Sequence, residues 1–150
     1  MNMFERIIAF FSRRRVLFDM QTSLDLVEVP VVTMRSNTGK KVNLMIDTGC
    51  NTCMLDEGYL ELVGGTIVDN TDDESRIMTA GGGLSAEKAV RFSVSKNDVT
   101  FDITADIANI ESLMCIEKET GVKIHGILGT NFLSKNLFVI DFATNIIYKK

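Results

Sequence analysis

The sequence has little of what several common kinds of site require. Its one histidine, His125, leaves little material for a multi-histidine metal site or for a Ser-His or Cys-His catalytic arrangement. Three cysteines are an odd number and too few for the disulfide framework of a small secreted protein, so we expect a reducing, cytoplasmic setting. No apolar run approaches the roughly 18–20 residues that span a bilayer, so no transmembrane segment is expected.

Basic residues are also in the minority. The 16 Lys and Arg residues face 20 Asp and Glu residues, and the net charge of −4 argues against a nucleic-acid-binding surface. The rest of the composition is that of a globular protein, with 45% hydrophobic and 24% charged residues in a chain of 150. A chain of this length can bury one core without disulfides.

The N-terminal segment differs from the rest of the chain. Its apolar residues recur at helical spacing and three arginines follow them, while the apolar stretch over residues 7–11 is too short for a signal peptide. We therefore predict an amphipathic helical extension over residues 1–22 that packs on the protein body or on a partner chain. A basic helix lying on an anionic membrane surface is the alternative. Residues 23–150 form the predicted domain.

From residue 24 onward, apolar residues alternate with polar ones, which indicates strands. Pro30 lies within the first alternation, at residues 27–31, and favours an edge strand that pairs with residues 42–46. Residues 90–94 and 99–103 form a second predicted hairpin, and residues 137–141 and 146–149 a third. Short helices are expected after Asp56, after Asn109 and from Thr130, and the acidic residues 69–74 are expected to form a solvated loop. This pattern favours a closed or sandwiched β fold.

The pair Cys50 and Cys53 has three interpretations. As a zinc half-site it lacks a second pair, because Cys115 stands alone. As a redox pair it lacks the helix N-terminus that would lower a thiol pKa. We favour two small buried residues beside a functional loop. His125, which precedes a glycine and an apolar run, is likewise expected to be structural.

One apolar strand ends in a carboxylate, a hydroxyl and a glycine: Asp47, Thr48 and Gly49. By itself, Asp-Thr-Gly is a common turn tripeptide. A second segment, Ile127-Leu128-Gly129, lies downstream, and the glycine-rich residues 80–83 lie between the two. In this order the three elements resemble the retropepsins, the single-lobe aspartic proteases of retroviral type, over roughly residues 24–141. The resemblance implies an all-β fold, a closed acid-protease barrel lobe with a few short helices.

The resemblance also implies roles for particular residues. Asp47 would be half of a catalytic dyad, with Thr48 and Gly49 supporting its loop. No second Asp-Thr-Gly is present, and Asp141 lacks the following hydroxyl and glycine, so the dyad requires a homodimer. The substrate would be an extended polypeptide, and no metal or cofactor is implied. Predicted substrate contacts lie after the catalytic loop and in the hairpin that would form a flap: Cys50, Asn51, Thr52, Ala80, Gly81, Gly82 and Gly83.

Several features depart from the minimal viral enzymes. These are the N-terminal extension, an apparent insertion over residues 106–123, and a closing hairpin where those enzymes end in a short interface strand. The ends could hold the chain monomeric or cover the cleft. A catalytically silent peptide-binding or assembly module with the same fold is therefore the alternative to an aspartic endopeptidase. A third hypothesis is a protease regulated by oxidation of Cys50 and Cys53.

Overall fold

The computed structural model describes residue 3 and residues 15–70, 76–79 and 82–149, with only the backbone described for residues 76–79 and 82–85. The predicted N-terminal helix from residue 4 onward, most of the acidic stretch, and Ala80 and Gly81 lie outside the described residues. Among the described residues, no helix is both long and apolar enough to cross a membrane.

The described chain contains twelve strands and four short α-helices, with a 3-10 turn at Glu57–Tyr59. The strands are β1 (Arg15–Asp19), β2 (Val31–Ser36), β3 (Lys41–Ile46), β4 (Cys53–Asp56), β5 (Thr66–Asp69), β6 (Arg76–Thr79), β7 (Gly82–Ser85), β8 (Lys88–Lys96), β9 (Val99–Ala108), β10 (Gly126–Leu128), β11 (Phe138–Asp141) and β12 (Ile146–Lys149). The helices are α1 (Gln21–Val27), α2 (Leu60–Val63), α3 (Glu111–Thr120) and α4 (Thr130–Lys135).

Six strands close into a barrel in the order β2-β3-β10-β4-β9-β8, and β5 extends the sheet beyond β8. Closure comes from β2, which pairs with β3 along one edge and with the end of β8 along the other. The expected all-β fold with a closed barrel and few short helices is therefore confirmed. The barrel places β3 and β10 side by side and parallel, although they are far apart in sequence.

Strand alternation gives the barrel its core. In β3 the side chains of Val42, Leu44 and Ile46 are buried while those between them are more exposed, as the pattern predicted. The predicted hairpin of β8 and β9 is confirmed, and its turn at Asn97 and Asp98 has the positive φ angles that a tight hairpin requires. Edge-to-face phenylalanine rings on β9, α4 and β11 close one end of the core, with centroids 5.5–5.7 Å apart.

A separate three-stranded sheet has the order β1-β12-β11. Its β11–β12 pair is the predicted closing hairpin, which is therefore confirmed. Strand β1 pairs with β12, and its Leu17 and Phe18 are buried in the main core. Residues 15–19 thus belong to the sheet, although they lie within the range 1–22 that was predicted as an extension.

The prediction of an edge strand over residues 27–31 is wrong. Val27 ends helix α1, and Glu28 takes a left-handed conformation (φ 59°) that closes this helix. Pro30 precedes β2, where a missing backbone N–H costs no ladder hydrogen bond, and β2 is paired on both sides. Val27, Val29 and Val31 lie in a helix, a turn and a strand respectively, and all three pack on one apolar cluster. Their spacing therefore resembles strand alternation without a strand.

The predicted short helices are present with small differences at their ends. Asp56 caps the 3-10 turn by accepting a hydrogen bond from the Gly58 N–H at 3.0 Å. Its other carboxylate oxygen accepts a hydrogen bond from the Ile110 N–H at 2.8 Å. The N-cap residue of α3 is Ile110, one residue later than the predicted Asn109. Gly121 ends α3 in a left-handed conformation, as its sequence position indicated.

His125 is buried and contacts both β3 and the 3-10 turn. Its ring Nδ1 accepts a hydrogen bond from the Asn43 backbone N–H at 2.9 Å, and the backbone N–H of His125 donates to the Asn43 carbonyl. Its ring also lies edge-on to Tyr59, with centroids 4.6 Å apart. Burial, and then the charge of Lys123, lower the pKa of His125 from its usual value of 6.5. The expected structural role of this histidine agrees with these contacts.

We predict that His125 makes the fold less stable in acid. Below about pH 6.5 the unfolded chain binds a proton at this residue while the folded protein does not. Stability therefore falls from that pH downward until the lowered folded pKa is reached. Urea unfolding at pH 7.5 and 5.5 should show a smaller loss of stability in His125→Gln than in the wild type. Equal losses in the two proteins would contradict this assignment.

Candidate active site

The Asp-Thr-Gly segment forms the loop that follows β3. Asp47 is the first residue after the strand, and its backbone N–H donates to the carbonyl of Leu128 at 3.1 Å. Leu128 is the last residue of β10 and lies opposite Ile46 in the parallel β3–β10 pair. The two sequence elements on which the resemblance depended are therefore in direct contact.

The carboxylate of Asp47 is held at the surface by its own loop. Its Oδ1 accepts a hydrogen bond from the Gly49 N–H at 2.8 Å, and the Asp47 carbonyl accepts from the Cys50 N–H at 3.2 Å. Asp47 is half-buried, whereas Thr48 and Gly49 are exposed. Any side chain at position 49 would place its Cβ 3.1 Å from the Asp47 Oδ1. The loop thus presents one oriented carboxylate to solvent.

The start of helix α4 is hydrogen-bonded to the same loop. The N–H groups of Thr130 and Asn131, at the start of this helix, donate to the carbonyls of Cys50 and Asn51 at 2.8 and 3.3 Å. These bonds satisfy backbone groups that a helix N-terminus leaves unpaired. Between β10 and α4, Gly129 passes so close to the loop that an added Cβ would lie 2.1 Å from the Thr52 carbonyl oxygen. Only glycine fits at this crossing.

Cys50 and Cys53 are buried behind the loop, as expected. The Cys50 thiol donates to the carbonyl of Thr52, and the Cys53 thiol donates to the side chain of Asn131. Burial raises the pKa of Cys50, and it raises that of Cys53 to about 12. Both thiols are free. Among the described residues, no three His, Cys, Asp or Glu side chains are grouped as a metal site requires.

The other predicted site residues are placed only in part. Asn51 is exposed and Thr52 is half-buried, directly after the loop. Gly82 and Gly83 lie in β7, opposite Thr79 and Met78 of β6, so the hairpin itself is present. Asp141 ends β11 and accepts from the Ala143 N–H at 2.9 Å, which makes it the strand-end residue that was expected.

The helix predicted after Asn109, α3, lies within the predicted insertion and near the loop. Its Leu113 and the preceding Ile110 pack into an apolar cluster that also contains Cys50 and Ile127. Sequence reasoning did not identify Asp106, a buried carboxylate on β9 that is only 6% exposed. Alternation along β9 does not predict that Asp106 is buried. Its neighbour Ala105 is buried as well, and strict alternation would leave one of the two exposed.

An apolar groove of about 560 Å³ lies beside the loop. Thr48 forms one side of the groove, and α4 and β11 form the rest with Thr130, Leu133, Ser134, Leu137, Phe138, Val139 and Ile140. Leu137 is 59% exposed, a large fraction for a leucine that borders a groove. Within the described part of the chain, β11 has one strand neighbour, β12, so its other edge is open beside the groove.

The burial of Cys50 and Cys53 predicts selective thiol labelling. Cys115 is exposed on α3, whereas the thiolate of Cys53 forms only near pH 12. At pH 8 in the native protein, iodoacetamide should modify Cys115 and leave the other two unmodified over the same period; denaturant should expose all three. Mass spectrometry of the digested protein checks this. Rapid native modification of Cys50 or Cys53 would contradict the assignment and would favour an oxidation-sensitive loop.

Comparison with known proteins agrees with this geometry. A family described as aspartyl protease matches residues 32–132, about two thirds of the chain. The matched region begins in β2 and ends in α4, so it includes both the Asp-Thr-Gly loop and the β10 segment below it. A search of the curated proteins gave no match. The chain belongs to the retropepsin-like aspartyl protease family.

Proposed function

We propose that this protein is an aspartic endopeptidase that cleaves extended polypeptides as a homodimer, with Asp47 from each chain at the active site. Membership of the family supports a protease-type function. The observation that carries the proposal is the position of Asp47, whose backbone is held by Leu128 and whose carboxylate is oriented by Gly49. One lobe supplies one such carboxylate, and this chemistry needs two.

The proposed reaction depends on a proton shared between the two copies of Asp47. Two carboxylates about 3 Å apart cannot both ionise easily, so the pair holds one proton over a range of pH. The ionised carboxylate removes a proton from a water molecule, which attacks the carbonyl carbon of the scissile peptide. The protonated carboxyl polarises the carbonyl oxygen, and a proton then passes to the leaving nitrogen. The pKa values of this step belong to the pair.

The groove beside Thr48 supports the homodimer. Its open β11 edge and its apolar side chains are suited to a second copy of the same surface, since a two-fold axis pairs a patch with itself. Thr48 belongs both to this groove and to the catalytic loop. A partner docked there would bring its own Asp47 near the first, and the Thr48 hydroxyls would stabilise the paired loops.

Substrate binding is assigned to the segments around the loop. Asn51 and Thr52 follow the carboxylate directly, and Cys50, whose side chain is buried, would contribute only its backbone. We assign the β6–β7 hairpin, with Ala80, Gly81, Gly82 and Gly83 at or near its tip, as the flap over an extended peptide. Three free cysteines accord with a reducing, cytoplasmic setting.

Asp47→Asn should keep the fold and abolish cleavage. The amide retains an oxygen for the Gly49 N–H but cannot serve as a base, so the rate should fall at least about a thousandfold. The matched control is Asp141→Asn, which makes the same change at a strand-end aspartate. The measurement is cleavage of a panel of denatured proteins between pH 4 and 8, with the highest wild-type activity expected on the acid side of neutrality.

Two results of this comparison would count against the proposal. Full activity in Asp47→Asn would remove Asp47 from the reaction. Loss of activity in Asp141→Asn, with both the fold and the dimer intact, would place the second carboxylate within the same chain.

Leu137→Asp should weaken the homodimer and its activity together. A charge at this exposed groove position would be buried by a partner, so the dimer dissociation constant should rise about tenfold or more. Leu26→Asp is the control, because Leu26 is a similarly exposed leucine (57%) that lies outside this groove. Sedimentation at several micromolar concentrations measures both variants.

A wild-type chain that is monomeric at every concentration and still cleaves would exclude the dimeric site. A monomer without activity would favour the alternative, a peptide-binding or assembly module with this fold.

A further inference from the structure

Among the described residues, Asn70 joins the two ends of the segment that contains the β6–β7 hairpin. Asn70 directly follows β5, and its backbone N–H donates to the carbonyl of Glu87 at 2.9 Å, one step beyond the β5–β8 ladder. Its side-chain Nδ2 donates to the carbonyl of Ala86 at 3.1 Å, just before β8 begins. Asn70 therefore ties together the two ends of residues 71–85.

The same Nδ2 also donates to Asp106 Oδ1 at 2.8 Å. Asp106 lies on β9, opposite Ala89 of β8 and Met54 of β4, and is only 6% exposed. A buried carboxylate is costly unless polar partners satisfy it, and a hydrogen bond to an ionised acceptor is stronger than one between neutral groups. The base of the hairpin is thus bonded to a charged group in the barrel wall.

Asp106 also lies close to the candidate catalytic loop. Strand β9 pairs with β4, with Cys53 opposite Ala105 and Met54 opposite Asp106. After burial, the negative charge of Asp106 is a smaller cause of the raised pKa of both Cys50 and Cys53, as expected from this pairing. The side chain of Asp106 therefore bonds the hairpin base from a strand that pairs with β4, next to the predicted substrate contacts.

We infer that Asn70 and Asp106 are positioning residues that fix the base of the β6–β7 hairpin relative to the Asp47 loop. The two strands form a sheet of their own, and an isolated two-stranded hairpin is marginally stable, so its order depends on how its ends are held. Any effect on peptide cleavage rests on the proposed function. The anchoring itself does not.

The experiment measures tryptic cleavage after Arg76, which lies in β6. Cleavage should be about tenfold faster in Asn70→Ala and in Asp106→Ala, because the hairpin opens more often once the Asn70–Asp106 bond is lost. Asp106→Asn should restore most of the protection, since its amide oxygen can accept from Asn70. Asp102→Ala is the control: this aspartate also lies on β9 and accepts from a β8 side chain, Ser93, but away from the hairpin base.

Unchanged cleavage after Arg76 in both alanine variants would overturn the inference, and so would equal acceleration in Asp102→Ala. Hydrogen exchange of the β8–β9 amides monitors the barrel. If Asp106→Ala unfolds the barrel, cleavage after Arg76 in Asn70→Ala decides the inference, because the Asn70 side chain is only half-buried and its loss should leave the barrel folded.

A second readout separates positioning from the chemical step. In peptide cleavage, Asn70→Ala should raise KM about tenfold and change kcat less than about threefold, with Asp106→Asn close to the wild type. A wild-type protein that cleaves no peptide would overturn the proposed function, and cleavage after Arg76 would still decide the anchoring.

Discussion

The structure around the candidate site depends on one contact between two distant segments, the end of β3 and the end of β10. The Asp47 N–H donates to Leu128, and the first N–H groups of α4 donate to the carbonyls of the same loop. Gly129 makes this approach possible, because any side chain there would collide with Thr52. A barrel that lost this crossing would keep an aspartate in a turn but would no longer fix the position of its loop.

Buried polar side chains connect the irregular segments to the barrel. Asp56 holds the start of α3 through the Ile110 N–H, His125 pairs with Asn43, and the Asp106 carboxylate takes the amide of Asn70. Each is buried, and each has a partner, as the cost of burying such groups requires. His125 also affects stability in acid. Its lowered pKa makes the fold less stable below about pH 6.5, which is the range in which the proposed dyad would share its proton.

Local pattern predicted the parts of the fold that local physics determines. The β8–β9 and β11–β12 hairpins, the Asp56 cap and the left-handed Gly121 follow from alternation and turn chemistry. The strand over residues 27–31 failed because valines that alternate can also pack from a helix and a turn. Neither pattern nor spacing could place β10 beside β3, since a parallel pair between distant segments leaves no local signal. The groove and the Asn70–Asp106 bond needed coordinates, because both join residues from separate strands.

The most direct test of the central claim is to mix wild-type protein with Asp47→Asn and measure peptide cleavage after the subunits exchange. If each active site takes one Asp47 from each chain, mixed dimers are inactive. An equal mixture should then retain about half of the activity that the same amount of wild-type protein has alone. Activity that stays proportional to the wild-type chains present, whatever the excess of variant, would contradict a site built from two copies.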